Sequence, residues 1–138
     1  TYMPDNPVIK FVSNLDIKNF YKSILSEREE LNYPPYSWLA KIEFSGKDLK
    51  KVEEIINSFS SSIIGSYTGL DILGPAPCYL ERLKNSYRFQ IIFKSNKIID
   101  PNGVLLHKFI LNNIKKLKTN FGSAGYKAKI FFDPLSLI

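Results

Sequence analysis

The sequence has too few of the residues that disulfides, metal sites and membrane spans require. Cys78 is its only cysteine and His107 its only histidine, which excludes an internal disulfide and the usual four-ligand structural zinc site. No apolar run approaches the roughly 20 residues that a bilayer span needs, and no basic and apolar leader opens the chain. These absences favour the reducing cytoplasm and predict no membrane partner.

Catalytic motifs are also absent from the sequence. It contains no G-x-x-x-x-G-K-[ST] loop to hold phosphates, no G-x-G-x-x-G turn and no H-E-x-x-H zinc motif. We interpret His107 as a packing or solvated histidine because no partner for it is evident. Cys78 follows a proline and precedes a tyrosine, and we interpret it as a packing residue. The sequence therefore predicts no catalytic residue, no metal site and no cofactor.

Positive charge is what the sequence has in excess. Lysine and arginine number 19 against 13 aspartate and glutamate residues, a formal net charge of +6. Such an excess suits a polyanionic partner if it is gathered on one face, and otherwise contributes only to solubility. With 138 residues, of which 44% are hydrophobic, the chain has room for one domain with one core.

The clearest hydrophobic pattern lies in residues 87–94. Tyrosine, phenylalanine and isoleucine at odd positions alternate there with Arg88, Gln90 and Lys94, as in a half-buried strand with one wet, basic face. Residues 74–83 precede it and contain two prolines, which remove backbone donors. They predict a kinked strand that is joined to the next strand by a hairpin.

The remaining elements follow from periodicity, capping residues and turn residues. In chain order we predict an extended connector at 1–7, a helix capped by Asp16 that ends near Leu31, a strand at 38–45, a helix that starts in Ser45-Gly46-Lys47-Asp48 and stops at Gly65, the two central strands, a helix from Leu106 to Gly122 and a strand at 127–132. This order predicts an α+β fold, a split β-α-β-β-α-β two-layer sandwich with two helices on one face of a four-stranded antiparallel sheet. An N-terminal extended arm and a helix precede it.

The sheet face away from the helices carries the candidate binding residues, with Glu43 as an opposing charge. Cations beside an exposed aromatic ring are what single-stranded nucleic acid needs, for its phosphates and its bases. Two simpler interpretations stay open: polar side chains on an open sheet face that only maintain solubility, and coverage of this face by the N-terminal helix. The candidates are Lys41, Arg88, Gln90, Lys127, Lys129 and Phe131.

Several passages of the sequence carry a family resemblance through their order and spacing. They are the Thr-Tyr and proline pattern of residues 1–7, Glu-Leu-x-Tyr-Pro-Pro-Tyr at 30–36, Ser-Gly-Lys-Asp at 45–48, the stretch 74–90 with Gly-Pro-Ala-Pro, Glu-Arg-Leu and Tyr-Arg-Phe-Gln, and Asp-Pro-Leu-Ser-Leu at 133–137. Together they resemble the C-terminal domain of primosomal protein N′, the replication-restart DNA helicase PriA. The resemblance covers nearly the whole chain.

The resemblance implies a fold similar to ribosomal protein S10, with residues 1–14 as a connector from the preceding helicase lobe and residues 15–138 as a single C-terminal domain. It also implies a fragment of a bacterial, cytoplasmic and nucleoid-associated parent. The implied role is non-catalytic: binding single-stranded or branched DNA at stalled forks and helping to dock the acidic tail of single-stranded DNA-binding protein during primosome assembly. Lys97, just after the third strand, is the implied contact for that tail.

The resemblance places ATP, zinc and the 3′-5′ helicase activity in the rest of the parent, whose other lobes are further partners. Two competing functions stay open. One is a pure protein-docking module whose basic face receives an acidic peptide, and the other is an RNA-binding domain, which an S10-like fold suggests by analogy.

Overall fold

The computed structural model describes residues 3–122, 125–135 and 137, and by its contacts the chain divides into two compact units, residues 1–36 and 37–138. No helix within the described residues combines the length and the apolar character that crossing a bilayer requires. The elements are α1 (Pro7–Ser13), α2 (Ile17–Glu30), β1 (Ser37–Gly46), α3 (Leu49–Ile63), β2 (Leu70–Leu83), β3 (Ser86–Asn96), α4 (Val104–Phe121) and β4 (Lys127–Phe132).

The first unit contains α1 and α2. The Asn6 side chain accepts a hydrogen bond from the Val8 amide at 2.9 Å, and Pro7 occupies the first turn of α1, where its missing N–H costs nothing. This cap and proline start a helix that the sequence analysis did not predict, and it begins at the last residue of the predicted extended connector 1–7. α2 begins after Asp16, whose Oδ1 accepts the Asn19 amide at 3.2 Å, as predicted.

The division between the two units falls after Tyr36, so α2 belongs with α1 rather than with the sheet. The described residues of α1 and α2 include none that is buried. The sequence-based division, with residues 1–14 as a connector and 15–138 as one domain, stays a prediction.

The second unit has the order β-α-β-β-α-β. Its described residues form a four-stranded sheet with the order β2-β3-β1-β4, and each neighbouring pair is antiparallel. The predicted α+β two-layer sandwich is confirmed.

The core of the second unit lies between one sheet face and the two helices. In β1 the alternate residues Ala40, Ile42 and Phe44 are fully buried, and in β3 so are Ile91 and Phe93. The alternate side chains of the same strands therefore point to the opposite sheet face. The helices contribute Val52, Ile55, Ile56, Phe59 and Ile63 from α3, and Leu106, Ile110, Ile114 and Leu117 from α4.

α3 starts inside the stretch that the sequence analysis identified. Asp48 caps the helix, with its Oδ1 accepting the Lys51 amide at 3.2 Å. Ser45 lies in β1 instead, since that strand continues to Gly46. The prediction of a helix start within Ser45-Gly46-Lys47-Asp48 is confirmed, with Asp48 as the N-cap and Leu49 as the first helical residue.

A buried carboxylate organises the start of α4. Asp100 is only 2% exposed, and its carboxylate oxygens accept the amides of Leu105 at 3.2 Å and Leu106 at 2.9 Å. Its carbonyl oxygen accepts the indole N–H of Trp38 at 2.9 Å. Gly103 precedes the first turn of the helix with a φ of 70°, and a Cβ there would lie 3.3 Å from the Trp38 ring. Glycine therefore permits both the positive φ and the close approach of the indole.

β2 and β3 form a hairpin with a large irregularity. Lys84 and Asn85 have positive φ values of 48° and 60°, as a two-residue type I′ turn requires. Beyond the turn Arg82 pairs with Tyr87, but the next pair is Pro77 with Phe89. Residues 78–81 therefore stand opposite Arg88 alone, which is more than the one extra residue of an ordinary bulge. We call residues 78–81 the β2 bulge.

Candidate nucleic-acid interface

The six residues predicted to bind nucleic acid lie on one face of the sheet. The register places Lys41 opposite Phe131 on β4, and Gln90 of β3 opposite Glu43. These residues alternate with those that face the helices, so they share the other face, which we call the basic face. Its predicted members are Lys41, Arg88, Gln90, Lys127, Lys129 and Phe131.

Arg88 is not a free cation on this face. Its Nε donates to Glu43 Oε1 at 3.0 Å and its Nη2 to Oε2 at 2.8 Å, a bidentate pair. Both side chains are largely shielded, at 20% and 10% exposure, and hydrogen bonding to Glu43 raises the pKa of Arg88. Glu43, which the sequence identified as an opposing charge, therefore neutralises one of the predicted cations.

Lys41 is largely buried rather than displayed. The residue is 7% exposed, and its Nζ lies over the Phe131 ring, 5.0 Å from the ring centroid. Phe131 is 37% exposed. Lys41 therefore supports one side of the ring through a cation–π contact and leaves the ring accessible to solvent.

Lys127 and Lys129 are the freely displayed cations of the basic face. Both are exposed residues of the edge strand β4, and in the part of the chain that the structure describes neither forms an ion pair. Gln90 is half-buried and belongs to β3, which lies between β2 and β1 in the sheet. The alternate residues Lys127, Lys129 and Phe131 of β4 therefore present two cations and one aromatic ring on this face.

The β2 bulge covers part of the basic face. Arg88 Nη1 donates to the carbonyl oxygen of Leu80 at 3.3 Å, and Cys78 is 7% exposed. Burial raises the pKa of the Cys78 thiol, and the nearby Glu43 carboxylate raises it further, while Arg88 and Lys41 lower it. Cys78 is thus a packing residue, as predicted. The prolines indicated a kink in β2, but nothing in the sequence indicated that the bulge contacts Arg88.

Lys97 lies immediately after β3, where the sequence placed it. Its Nζ lies over the Trp38 ring, 4.0 Å from the ring centroid. The following residues Ile98 and Ile99 are 88% and 49% exposed. A cation, an indole and two exposed aliphatic side chains are therefore adjacent at this end of the sheet.

His107 agrees with the prediction of a packing or solvated histidine, since the residue is exposed and its ring also contacts another side chain. Its ring stacks on Phe132 with centroids 3.8 Å apart and an interplanar angle of 17°, and its Nδ1 lies 2.8 Å from the Gly103 carbonyl oxygen. Among residues 3–122, 125–135 and 137, no group of three or more histidine, cysteine, aspartate or glutamate side chains is arranged to hold a metal ion.

Comparison with known proteins gives one family and a consistent set of relatives. Residues 29–135 match the family described as primosomal protein N C-terminal domain. Replication restart protein PriA of Synechocystis is 32% identical over 140 aligned residues, with 99% of this chain and 15% of the relative covered. The PriA proteins of Bacillus subtilis and Rickettsia conorii are each 31% identical, over 84% and 83% of this chain and 14% and 17% of their own lengths. The chain therefore spans about a sixth of these relatives or less.

Proposed function

Since this chain belongs to the family of primosomal protein N C-terminal domains, we propose that it serves replication restart as a non-catalytic module that binds single-stranded or branched DNA. The sheet face with Lys127, Lys129 and Phe131 is the proposed contact. Strand geometry separates alternate residues by about 7 Å, so two phosphate-binding cations and a stacking ring lie in one row. Electrostatic grooves with aromatic platforms are how many proteins hold single strands.

The observation that carries this proposal is the absence of acidic partners for Lys127 and Lys129 among the described residues. Glu43 is bound by Arg88, so it does not hold Lys129, which it faces in the register. Lys41 and Arg88 then act indirectly. Lys41 supports the ring of Phe131, and Arg88 neutralises a carboxylate that would repel phosphates.

Fluorescence anisotropy with three labelled ligands tests the proposal against its competitors. The 138-residue chain is titrated in low salt with single-stranded DNA, duplex RNA and an acidic peptide, because electrostatic binding is strongest there. We expect single-stranded DNA to bind most tightly and its affinity to fall with salt. Preferential binding of duplex RNA would favour the RNA-binding alternative, and binding of the peptide alone would favour a pure docking module.

A second binding role is favoured by the surface around Lys97. We propose that it receives the acidic tail of single-stranded DNA-binding protein, with Lys97 meeting a carboxylate. Trp38, Ile98 and Ile99 would contact apolar side chains of the same peptide. The contact of Lys97 with the Trp38 ring supports this role. The indole N–H of Trp38 donates a hydrogen bond to the Asp100 carbonyl oxygen, which fixes the ring in place.

Charge reversal separates the two proposed surfaces. Lys97→Glu should weaken binding of an acidic peptide at least tenfold and leave single-stranded DNA affinity nearly unchanged, whereas Lys127→Glu should do the opposite. The same loss of peptide binding from both variants would mean that one surface serves both ligands.

The remaining activities belong, in this proposal, to the rest of the longer protein. ATP hydrolysis, helicase activity and the zinc site are assigned there, and the other lobes are expected to contact this domain. The chain alone should therefore hydrolyse no ATP with or without DNA, since its sequence lacks a phosphate-binding loop. Turnover that survives repurification would overturn this assignment.

A further inference from the structure

The β2 bulge carries a highly exposed aromatic side chain. Tyr79 is 80% exposed, more than Tyr21 at 60% or Phe131 at 37%. A tyrosine ring normally stabilises a core or an interface by being buried there. The ring of Tyr79 is instead open to solvent. A bulge beside a binding face is a common means of redirecting a side chain.

The backbone on both sides of Tyr79 is fixed. Cys78 is packed, with 7% exposure, and the Leu80 carbonyl oxygen accepts a hydrogen bond from Arg88. Arg88 is in turn held by two hydrogen bonds to Glu43 on β1. The bulge is therefore anchored to the centre of the sheet, and Tyr79 projects from it at a defined place.

The charges that follow Tyr79 in the hairpin suit an anionic ligand. The guanidinium of Arg82 lies 5.3 Å from the Tyr87 ring centroid, and it donates to Asn85 Oδ1 at 2.5 Å. Lys84 is exposed in the turn. Neither cation forms an ion pair within the described parts of the chain. Glu81 lies between Tyr79 and these two cations in the sequence. It is exposed and is the one acidic residue of residues 79–85.

We propose that Tyr79 is a stacking platform for an unpaired DNA base, with Arg82 and Lys84 meeting the neighbouring phosphates. The inference rests on the proposed DNA binding and adds a second contact, on β2, to the one on β4. These strands are the two edges of the sheet, about 14 Å apart at roughly 4.8 Å per strand. The register also offsets the two positions along the strands, because Phe131 is level with Ile92 of β3 and the bulge is opposite Arg88, a shift of four residues or about 13 Å. One single strand that crosses the sheet diagonally can therefore stack on Phe131 and on Tyr79.

The test is a salt titration of single-stranded DNA binding to the 138-residue chain and its variants. Tyr79→Ala should weaken binding about fivefold to hundredfold, the usual effect of losing one stacked base, with the salt slope unchanged. Tyr79→Phe should bind within about twofold of the unchanged chain, because a ring is retained. Tyr21→Ala is the matched control, an exposed tyrosine of the first unit, and should have no effect.

Charge variants of the hairpin test the phosphate contacts. Arg82→Ala and Lys84→Ala should each reduce the slope of log affinity against log salt by about 0.7. Glu81→Gln removes a repulsive carboxylate and should strengthen binding. A second readout is the fluorescence of a 2-aminopurine base in the strand, which stacking quenches: Tyr79→Phe should keep the quenching and Tyr79→Ala should lose it.

The outcomes separate this inference from the proposed function. If Tyr79→Ala leaves affinity and quenching unchanged while Lys127→Ala and Lys129→Ala weaken binding, the inference is wrong and the basic face stands. If Tyr79→Ala weakens binding and the lysine variants do not, the inference stands and the β4 contact is wrong. If the unchanged chain binds no DNA, both are wrong. An equal loss from Tyr79→Ala and Tyr21→Ala would also overturn the inference.

Discussion

Among single residues, Arg88 is notable because it joins three strands through its guanidinium. It pairs with Glu43 on β1 and with the Leu80 carbonyl oxygen on β2 while belonging to β3. Removing it would leave a largely shielded carboxylate without its cation, which is costly in protein interiors. Loss of DNA binding in an Arg88→Ala variant would therefore not identify a phosphate contact, and the exposed lysines of β4 are the better test.

Phe89 gives a direct residue-level test of the strand orientation. It belongs to the core cluster and is 7% exposed. Phe89→Ala should lower the free energy of unfolding by about 3 to 5 kcal/mol, the usual range for emptying a core aromatic site. Phe131→Ala, at 37% exposure, is the control and should cost much less. An unchanged denaturation midpoint for Phe89→Ala would mean that the basic face points inward.

Cys78 gives a residue-level test of the bulge, with a defined sign. Burial, with Glu43 second, raises the pKa of its thiol above the unfolded value. The contribution to stability is therefore fully present below the unfolded pKa and is lost as pH rises through the folded pKa. At pH 8 a thiol reagent should react far more slowly with the folded chain than with the chain in denaturant. Equal rates would contradict a packed bulge.

At the scale of elements, Asp100 joins the loop after β3 to the start of α4. Its carboxylate accepts two amides of the first helical turn, and Ser95 Oγ lies 3.5 Å from its Oδ2. Asp100→Ala should cost about 1 to 3 kcal/mol, since a cap is lost and buried donors lose their acceptor. The Trp38 fluorescence should shift as well, because its indole is bonded to the same residue.

Asp48 provides the matched control at this scale. It caps α3 from an exposed position, so Asp48→Ala should cost only about 0.5 to 2 kcal/mol, the range for a lost N-cap. Asp48→Ala should leave the Trp38 fluorescence unchanged. If Asp100→Ala destabilises the chain no more than Asp48→Ala does, the proposed role of Asp100 as an organising residue is wrong.

The elements also show which structural features local sequence determines. Alternation predicted β1, β3 and β4, and the 3.6-residue period predicted α2, α3 and α4, because each pattern must place apolar side chains on the buried side. The β2 bulge was not predictable in the same way. The Arg88 guanidinium donates to the Leu80 carbonyl oxygen in this bulge, and no local sequence pattern indicates a contact of that kind.

At the scale of the whole molecule, topology was predictable and the chemistry of the site only in part. The order of the elements led to the two-layer sandwich, and strand alternation brought all six predicted residues to one face. Periodicity could not show that Glu43 neutralises Arg88 or that Lys41 lies over Phe131. It also gave no reason to select Tyr79, which precedes the turn in an irregular part of β2. Whether a cation of the basic face is available to a ligand depends on the side chains opposite it on the neighbouring strands.

The most direct test of the account is whether DNA lies over the sheet or over the helices. Two double variants of the 138-residue chain remove the same charge from opposite sides: Lys127→Ala with Lys129→Ala on β4, and Lys108→Ala with Lys116→Ala on the exposed side of α4. The quantity measured is the slope of log affinity for single-stranded DNA against log salt. We expect the β4 pair to reduce the slope by about 1.4, at roughly 0.7 per lost contact, and the α4 pair to leave it unchanged. A reduced slope for the α4 pair and an unchanged slope for the β4 pair would place DNA on the helices and contradict the account.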